Sequence, residues 1–176
     1  LISDLVNTHD NPEQLFDILY PVGDGSFGVV YKARERKTGT LCAIKMIYLN
    51  DKSTLEGCLK EIQIMSSCNS HYIVSYIGTY HHDSHLWIVM EYCEFGSLKR
   101  IMNKHGRPLS EKTIGAIVYS ILKGIAYIHS RKLIHRDIKA DNILIGNDGV
   151  AKISDFGVST KLLSTFGCTN SVSGSP

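Results

Sequence analysis

The sequence predicts an α+β chain in two lobes: a complete strand-rich lobe with one helix over 15–90, then the first part of a helical lobe over 97–176. Three observations predict this. From Phe16 to Lys45, β-branched and aromatic residues are broken by glycine, the pattern of strands joined by turns. At "STLEGCLKEIQIMSSC" the apolar residues recur at three- and four-residue steps instead. From Ile114 to Ile128 one apolar stripe runs at helical spacing. A polar lead-in (1–14), expected to be loose, and a short connector (91–96) complete the plan.

Each element has its own signal. "KTGT" (37–40) reads as a hairpin turn and "LCAIKMIYL" (41–49) as the strand after it. Leu55, Cys58, Leu59, Ile62 and Met65 form one helical face, with Ser53 and Glu56 as a capping box at its start. Strand patterns resume at "YIVSYIGTY" and "HLWIVMEYC". Ser97 caps "LKRIMNKH", which stops at Gly106, and Ser110 caps the longer helix. In that helix the predicted stripe is Ile114, Ile117, Val118, Ile121, Leu122, Ile125 and Ile128. Short strands "NILI" and "AKIS" flank the "NDG" turn, and the last 15 residues are polar and read as a mobile tail.

Composition bounds the function. The 176 residues are 43% hydrophobic and 20% charged, with a net charge of +2, as in an ordinary soluble domain. That balance gives no electrostatic case for nucleic acid or an acidic membrane as partner. Cys42, Cys58, Cys68, Cys93 and Cys168 are scattered and never form C-x-x-C, so they read as reduced thiols of a cytoplasmic protein. No signal peptide is visible, although the chain begins at Leu1 and not at Met. The most apolar window, Ile114 to Ile128, holds Ser120 and Lys123 and is too short to span a bilayer.

The chemistry begins at "PVGDGSFGVVYKA", where Gly23, Gly25 and Gly28 are spaced G-x-G-x-x-G. Glycine there lets backbone approach a phosphate, because no Cβ intervenes. A dinucleotide site would place a helix after the last glycine. "VVYKA" is instead β-branched and reads as a strand, with Lys45 of "AIK" on the following one. A fixed cation on a strand flanked by Ala43 and Ile44 needs a counter-charge, and Glu61 is the candidate on the helix flank.

"IHRDIKADNIL" (134–144) supplies the rest. Asp137 is placed to accept or orient an attacking hydroxyl, and Lys139 to stabilise charge on a moving phosphoryl group. Asn142 offers a hard oxygen for Mg²⁺, and Asp155 in "SDFG" offers a second, with Gly157 as a hinge after it. Taken singly, each is an ordinary loop residue. The ordered set G-x-G-x-x-G-x-V, A-I-K, H-R-D-x-K-x-x-N, D-F-G is not a chance pattern.

On these motifs the chain from about residue 15 resembles a eukaryotic protein kinase domain, cut within its activation segment. "NPEQLFDIL", "LWIVMEYCEFGSL" and "HRDIKADNILI" are most similar to the sterile-20-like serine/threonine kinases, especially the Hippo/mammalian sterile-20-like group. The resemblance implies a protein-kinase-like bilobal fold, with 91–96 as the hinge, and ATP with Mg²⁺ as cofactors. It assigns Val22 and the glycine loop, Gly23, Asp24, Gly25, Ser26, Phe27 and Gly28, to the bound nucleotide. Val30, Ala43 and Leu144 would enclose the adenine, with Met90 as gatekeeper and Glu91 and Cys93 offering backbone hydrogen bonds. Met65, Tyr76, His135 and Phe156 would stack as a regulatory spine. Lys139 argues for Ser/Thr hydroxyls of protein substrates, and Ser171, with Thr169 second, is the implied activation-segment phosphosite, modified by autophosphorylation in trans. Ser175 stands where the family usually has Thr.

Two other classes stay open on sequence alone. A small-molecule kinase of the aminoglycoside type would share an Asp and an Asn but lack H-R-D-x-K and D-F-G. A nucleotide-binding scaffold would lack the intact set of Lys45, Asp137, Asn142 and Asp155. "HHDSH" (81–85) suggests metal ligands, but it lies where a hairpin turn is expected.

Overall fold

A computed structural model describes residues 5–25, 28–157 and 160–161. Ser26, Phe27, Cys168, Thr169, Ser171 and Ser175 lie outside the described residues. The chain divides into two compact units. The first comprises the described residues up to Ser67 together with Ser75–Tyr92; the second comprises Cys68–Val74 and the described residues from Cys93 onward.

The first unit is a five-stranded antiparallel sheet in the order β1-β2-β3-β5-β4, with one long helix, α2. A short α1 (Pro12–Leu15) leads into β1 (Phe16–Gly25); the Asn11 side chain caps it by accepting from the Glu13 N–H. β2 (Gly28–Glu35) returns directly, with Gly25 opposite Gly28, so the glycine motif is a hairpin and no helix follows it. β3 is Leu41–Tyr48, and the turn before it closes through Gly39 at φ 74°. β4 (Tyr76–His82) and β5 (His85–Glu91) form the last hairpin; the turn at Asp83 occupies the "HHDSH" stretch.

Strand alternation sorts the residues. Cys42 and Ile44 pack with Phe16, Ala33, Trp87 and Val89 in one buried cluster. Ala43 and Lys45 therefore point to the opposite face of β3.

Two expectations are corrected here. α2 runs Lys52–Ser67, so it begins before Ser53, and the Asp51 carboxylate accepts from the Thr54 N–H at 2.7 Å. Asp51 thus does the capping assigned to Ser53 and Glu56; it is the better acceptor because it stands just outside the first turn. The lead-in is also held in place over part of its length. Asn7 bridges the outer edge of β4, its N–H donating to the Thr79 carbonyl and its carbonyl accepting from the His81 N–H. An unpaired strand edge offers such partners to any adjacent extended backbone.

The second unit is built on two helices, α3 (Leu98–His105) and α4 (Glu111–Ser130). Ser97 and Ser110 cap them as expected, and Gly106 ends α3 in the left-handed region at φ 66°. Three short pairings surround them: β6 (Gly96–Ser97) with β8 (Ile143–Ile145), β8 with β9 (Ala151–Ile153), and β7 (Leu133–Ile134) with β10 (Thr160–Lys161). "YIVSYIGTY" is not one strand. Its first residues pair with β9 instead, through Ile153 N–H to the Tyr72 carbonyl and Val74 N–H to the Ile153 carbonyl.

The predicted stripe of α4 divides in two. Ile117, Ile121 and Ile125 pack against Ile143, Ala151 and Ile153, and Ile128 is buried. Ile114, Val118 and Leu122 lie on a second face and are 45%, 44% and 58% exposed. The apolar arc is wider than the contact it makes, because close approach is centred on Gly124. A Cβ there would meet Ile153 Cδ1 at 2.8 Å and the Tyr72 carbonyl at 3.0 Å.

Candidate active site

In the first unit, the sheet brings several of the sequence-predicted residues into register. Val30 pairs with Lys45 across β2 and β3, and Ala43 pairs with Met90 across β3 and β5. At Gly28 a Cβ would run into the Met46 carbonyl, so only glycine lets the hairpin close over β3. Gly23 lies opposite Val30, and Asp24 opposite Val29.

Lys45 Nζ lies 3.0 Å from Glu61 Oε1 and 3.1 Å from Oε2, a two-pronged contact from β3 to α2. Both residues are buried, at 4% and 3% exposure. A lysine in that setting keeps its charge only because a carboxylate accompanies it. The pairing expected from the helix flank is present. Cys58, one turn before Glu61, has its thiol pushed above the ordinary value by burial and then by the Glu61 charge, so it is an inert packing residue.

At the end of β5, the Glu91 N–H donates to the Ser75 carbonyl and the Ser75 N–H to Glu91 Oε2. The Glu91 N–H is therefore already engaged. A separate groove of about 850 Å³ in this unit is lined by Leu5–Asp10, Leu55, Leu59 and part of β4; it includes Tyr76 of the implied spine but none of the residues implied to bind nucleotide or metal.

The second unit gathers the residues expected to serve acid–base and metal-binding roles around a short 3₁₀ turn, Ala140–Asn142. Asn142 Nδ2 donates to the Asp137 carbonyl at 2.9 Å and to Asp137 Oδ2 at 3.0 Å. Lys139 Nζ also lies 3.0 Å from Asp137 Oδ2. Two donors on one oxygen aim the carboxylate. Because Asn142 spends its amide N–H groups on Asp137, its Oδ1 is left as the kind of hard oxygen that Mg²⁺ takes.

Beneath this cluster His135 acts as a spacer. It is 2% exposed; its Nδ1 accepts from the Asp137 N–H at 3.3 Å, so Nε2 carries the proton and donates to the Ser154 carbonyl at 2.9 Å. Burial pulls its pKa below 6.5, with the Ser154 carbonyl and the Asp155 and Asp137 charges opposing, which favours this neutral form. Its ring meets Phe156 edge to face, centroids 5.0 Å apart. Ser154 in turn donates from its N–H and its Oγ to the Asn142 carbonyl, at 2.9 and 3.1 Å. Sequence reasoning missed Ser154; its place directly before "DFG" was the available signal.

Asp155 and Arg136 have positive φ, 61° and 68°. Non-glycine residues held there store on the order of 1–3 kcal/mol each. Arg136 directly precedes Asp137, and Asp155 is itself one of the candidate metal ligands. Asp155 Oδ1 accepts from the Gly157 N–H at 3.2 Å, which fixes the carboxylate beside the turn.

Of the implied spine, His135 and Phe156 meet in this unit, while Met65 and Tyr76 belong to the first. Leu144 sits on β8, and Cys93 follows the first unit with its carbonyl accepting from the Gly96 N–H. Among the described residues, no three His, Cys, Asp or Glu side chains form a metal-holding group. The donor set of Asn142 and Asp155 still fits Mg²⁺, an ion that takes few protein oxygens and completes its shell with water and phosphate.

A family model for the protein kinase domain matches residues 16–176. The serine/threonine-protein kinases cst-1 of Caenorhabditis elegans and of Caenorhabditis briggsae are each 48% identical over 165 residues, or 94% of this chain. The chain spans 33% of the length of these curated relatives. With the motif set, the hairpin glycine loop, the Lys45–Glu61 pair and the Asp137–Asn142 cluster in place, the chain belongs to the protein kinase domain family.

Proposed function

We propose that this chain is the catalytic part of an ATP-dependent protein serine/threonine kinase. The observation that carries the reading is the cluster on Asp137 Oδ2, which receives both Lys139 and Asn142. Phosphoryl transfer asks for alignment and charge neutralisation more than covalent chemistry, and this cluster offers both.

In the first unit, Gly23, Asp24, Gly25 and Gly28, with Ser26 and Phe27, would cover the phosphates. Lys45, held by Glu61, would bind them as a fixed cation. Val22, Val30, Ala43 and Met90 would line the adenine, and the Glu91 carbonyl would take its exocyclic amine. In the second unit, Leu144 would add an apolar contact to the base and Cys93 a backbone one. Asn142 and Asp155 would hold Mg²⁺, which when bound neutralises phosphate charge. Asp137 would accept the proton of a substrate Ser or Thr hydroxyl, and Lys139 would stabilise the charge that develops beside it.

Ser171 is assigned as the activating phosphosite, paired with Arg136, whose guanidinium fork suits a phosphate. The same reading places the protein in a reducing cytoplasm. One observation supports that: Cys42 and Cys58 are buried free thiols.

The test is transfer of labelled phosphate from Mg-ATP to Ser/Thr peptides by the full-length protein, with Lys45→Met and Asp137→Asn beside it. Lys45→Met should lower phosphate-dependent binding, read as the calorimetric difference between ATP and adenosine. Full activity in Asp137→Asn would overturn the assignment.

A further inference from the structure

The ten residues 98–107, "LKRIMNKHGR", carry Lys99, Arg100, Lys104 and Arg107 and no carboxylate. In a chain of net charge +2, this is a local concentration of positive charge. α3 buries none of its residues, so packing does not account for the cations.

A shallow groove of about 570 Å³ opens along α3, lined by Ser97, Lys99, Arg100, Asn103, Lys104 and Asp141. No apolar residue lines it. The Ser97 hydroxyl is already engaged by the Arg100 N–H at 3.2 Å. Asp141 alone would draw a basic group, but Lys99 Nζ lies 3.1 Å from its Oδ2 and cancels that charge. Arg100 and Lys104 then leave the groove with a positive excess.

Position gives this excess a purpose. Asp141 lies in the 3₁₀ turn next to Asn142, whose amide holds Asp137. Within one unit, the groove thus shares Asp141 with the turn whose Asn142 holds the proposed catalytic carboxylate. We propose that the groove receives an acidic side chain of the protein substrate, a carboxylate or a phosphate, a few residues from the hydroxyl that is phosphorylated. This rests on the kinase reading above and adds a substrate class to it. Arg100 and Lys104 would contact the anion, and Lys99 would exchange Asp141 for it.

The experiment uses the full-length protein with three peptides that share one serine and differ in flanking residues: three glutamates, three alanines or three lysines, placed on either side in turn. The wild type should favour the glutamate peptide over the alanine peptide by roughly three- to tenfold in kcat/KM, as expected for two or three exposed ion pairs. Raising salt should erode that ratio. In Arg100→Glu/Lys104→Glu the ratio should fall below one, with the lysine peptide now preferred.

A wild type that prefers lysine, or a ratio unmoved by the double substitution, overturns the proposal. If the wild type phosphorylates none of the peptides, the kinase reading is what fails. Fluorescence anisotropy of the labelled glutamate peptide then reads the groove directly. Binding lost in the double variant supports the anion site, and equal binding in both proteins overturns it.

Discussion

Lys45 and Glu61 meet in a buried fork, Nζ to Oε1 and Oε2 at 3.0 and 3.1 Å, across the boundary between β3 and α2. Neither charge is stable there without the other, so the pair couples helix position to the proposed phosphate-binding cation. Glu61→Gln should cost about 3–5 kcal/mol, because it leaves Lys45 uncompensated. Lys45→Met with Glu61→Leu should recover most of that loss, since a matched apolar pair needs no desolvated charge. Urea unfolding of Lys45→Met, of Glu61→Leu and of the double closes the cycle; strictly additive losses would show that the residues do not act as a pair.

Asn142 should matter to rate through Asp137 as well as through the metal. Asp137→Asn is expected to lower kcat by about 10²–10⁴ while ATP affinity is roughly retained. Asn142→Ala should lower kcat and raise the Mg²⁺ concentration needed for half-activity, because the Asp137 carboxylate loses its 3.0 Å donor and the metal loses a ligand. An unchanged Mg²⁺ requirement would remove Asn142 from the metal site.

His135 gives stability a pH dependence with a definite sign. Its folded pKa is lowered from 6.5 because burial disfavours the imidazolium. The unfolded chain therefore takes up the proton first. The contribution of neutral His135 is complete above the unfolded value and is lost as pH falls through it toward the folded one. Unfolding free energies of the wild type should decline from about pH 7 to about pH 5. His135→Phe should be less stable at neutral pH but show a shallower slope, and an identical slope would assign the dependence elsewhere.

Two glycines of α4 should respond in opposite directions. Gly124→Ala pushes a methyl against Ile153 Cδ1 and the Tyr72 carbonyl, and is expected to destabilise by about 1–3 kcal/mol. At Gly115 a Cβ meets nothing within 4 Å, so Gly115→Ala should stabilise by about 0.5–1 kcal/mol through helix propensity. Thermal or urea melts of both variants decide this. Equal effects would mean that the α4–β9 approach is looser than described.

The sequence by itself determined the order of strands and helices, the Ser97 and Ser110 caps, and the turns at Gly39 and "NDG". These depend on neighbours a few residues away, and period, caps and turn residues are local signals. It also determined the identity of the chemical groups, because G-x-G-x-x-G, A-I-K, H-R-D-x-K-x-x-N and D-F-G fix residue types at short spacing. The Lys45–Glu61 partnership could be argued from charge balance, since a buried cation demands an anion. Tertiary structure decided what depends on contacts distant in the chain. It gave residues 72–74 to β9 instead of β4, since Ile153 offered both a donor and an acceptor there. It split the α4 stripe, because only the side next to Gly124 could approach β9 closely enough to bury. It made Ser154 a support for Asn142 and His135, a role for which its place before "DFG" was the one local hint. It placed Asp141 against Lys99, far apart in sequence, and so turned a run of solvated cations into a groove with a sign.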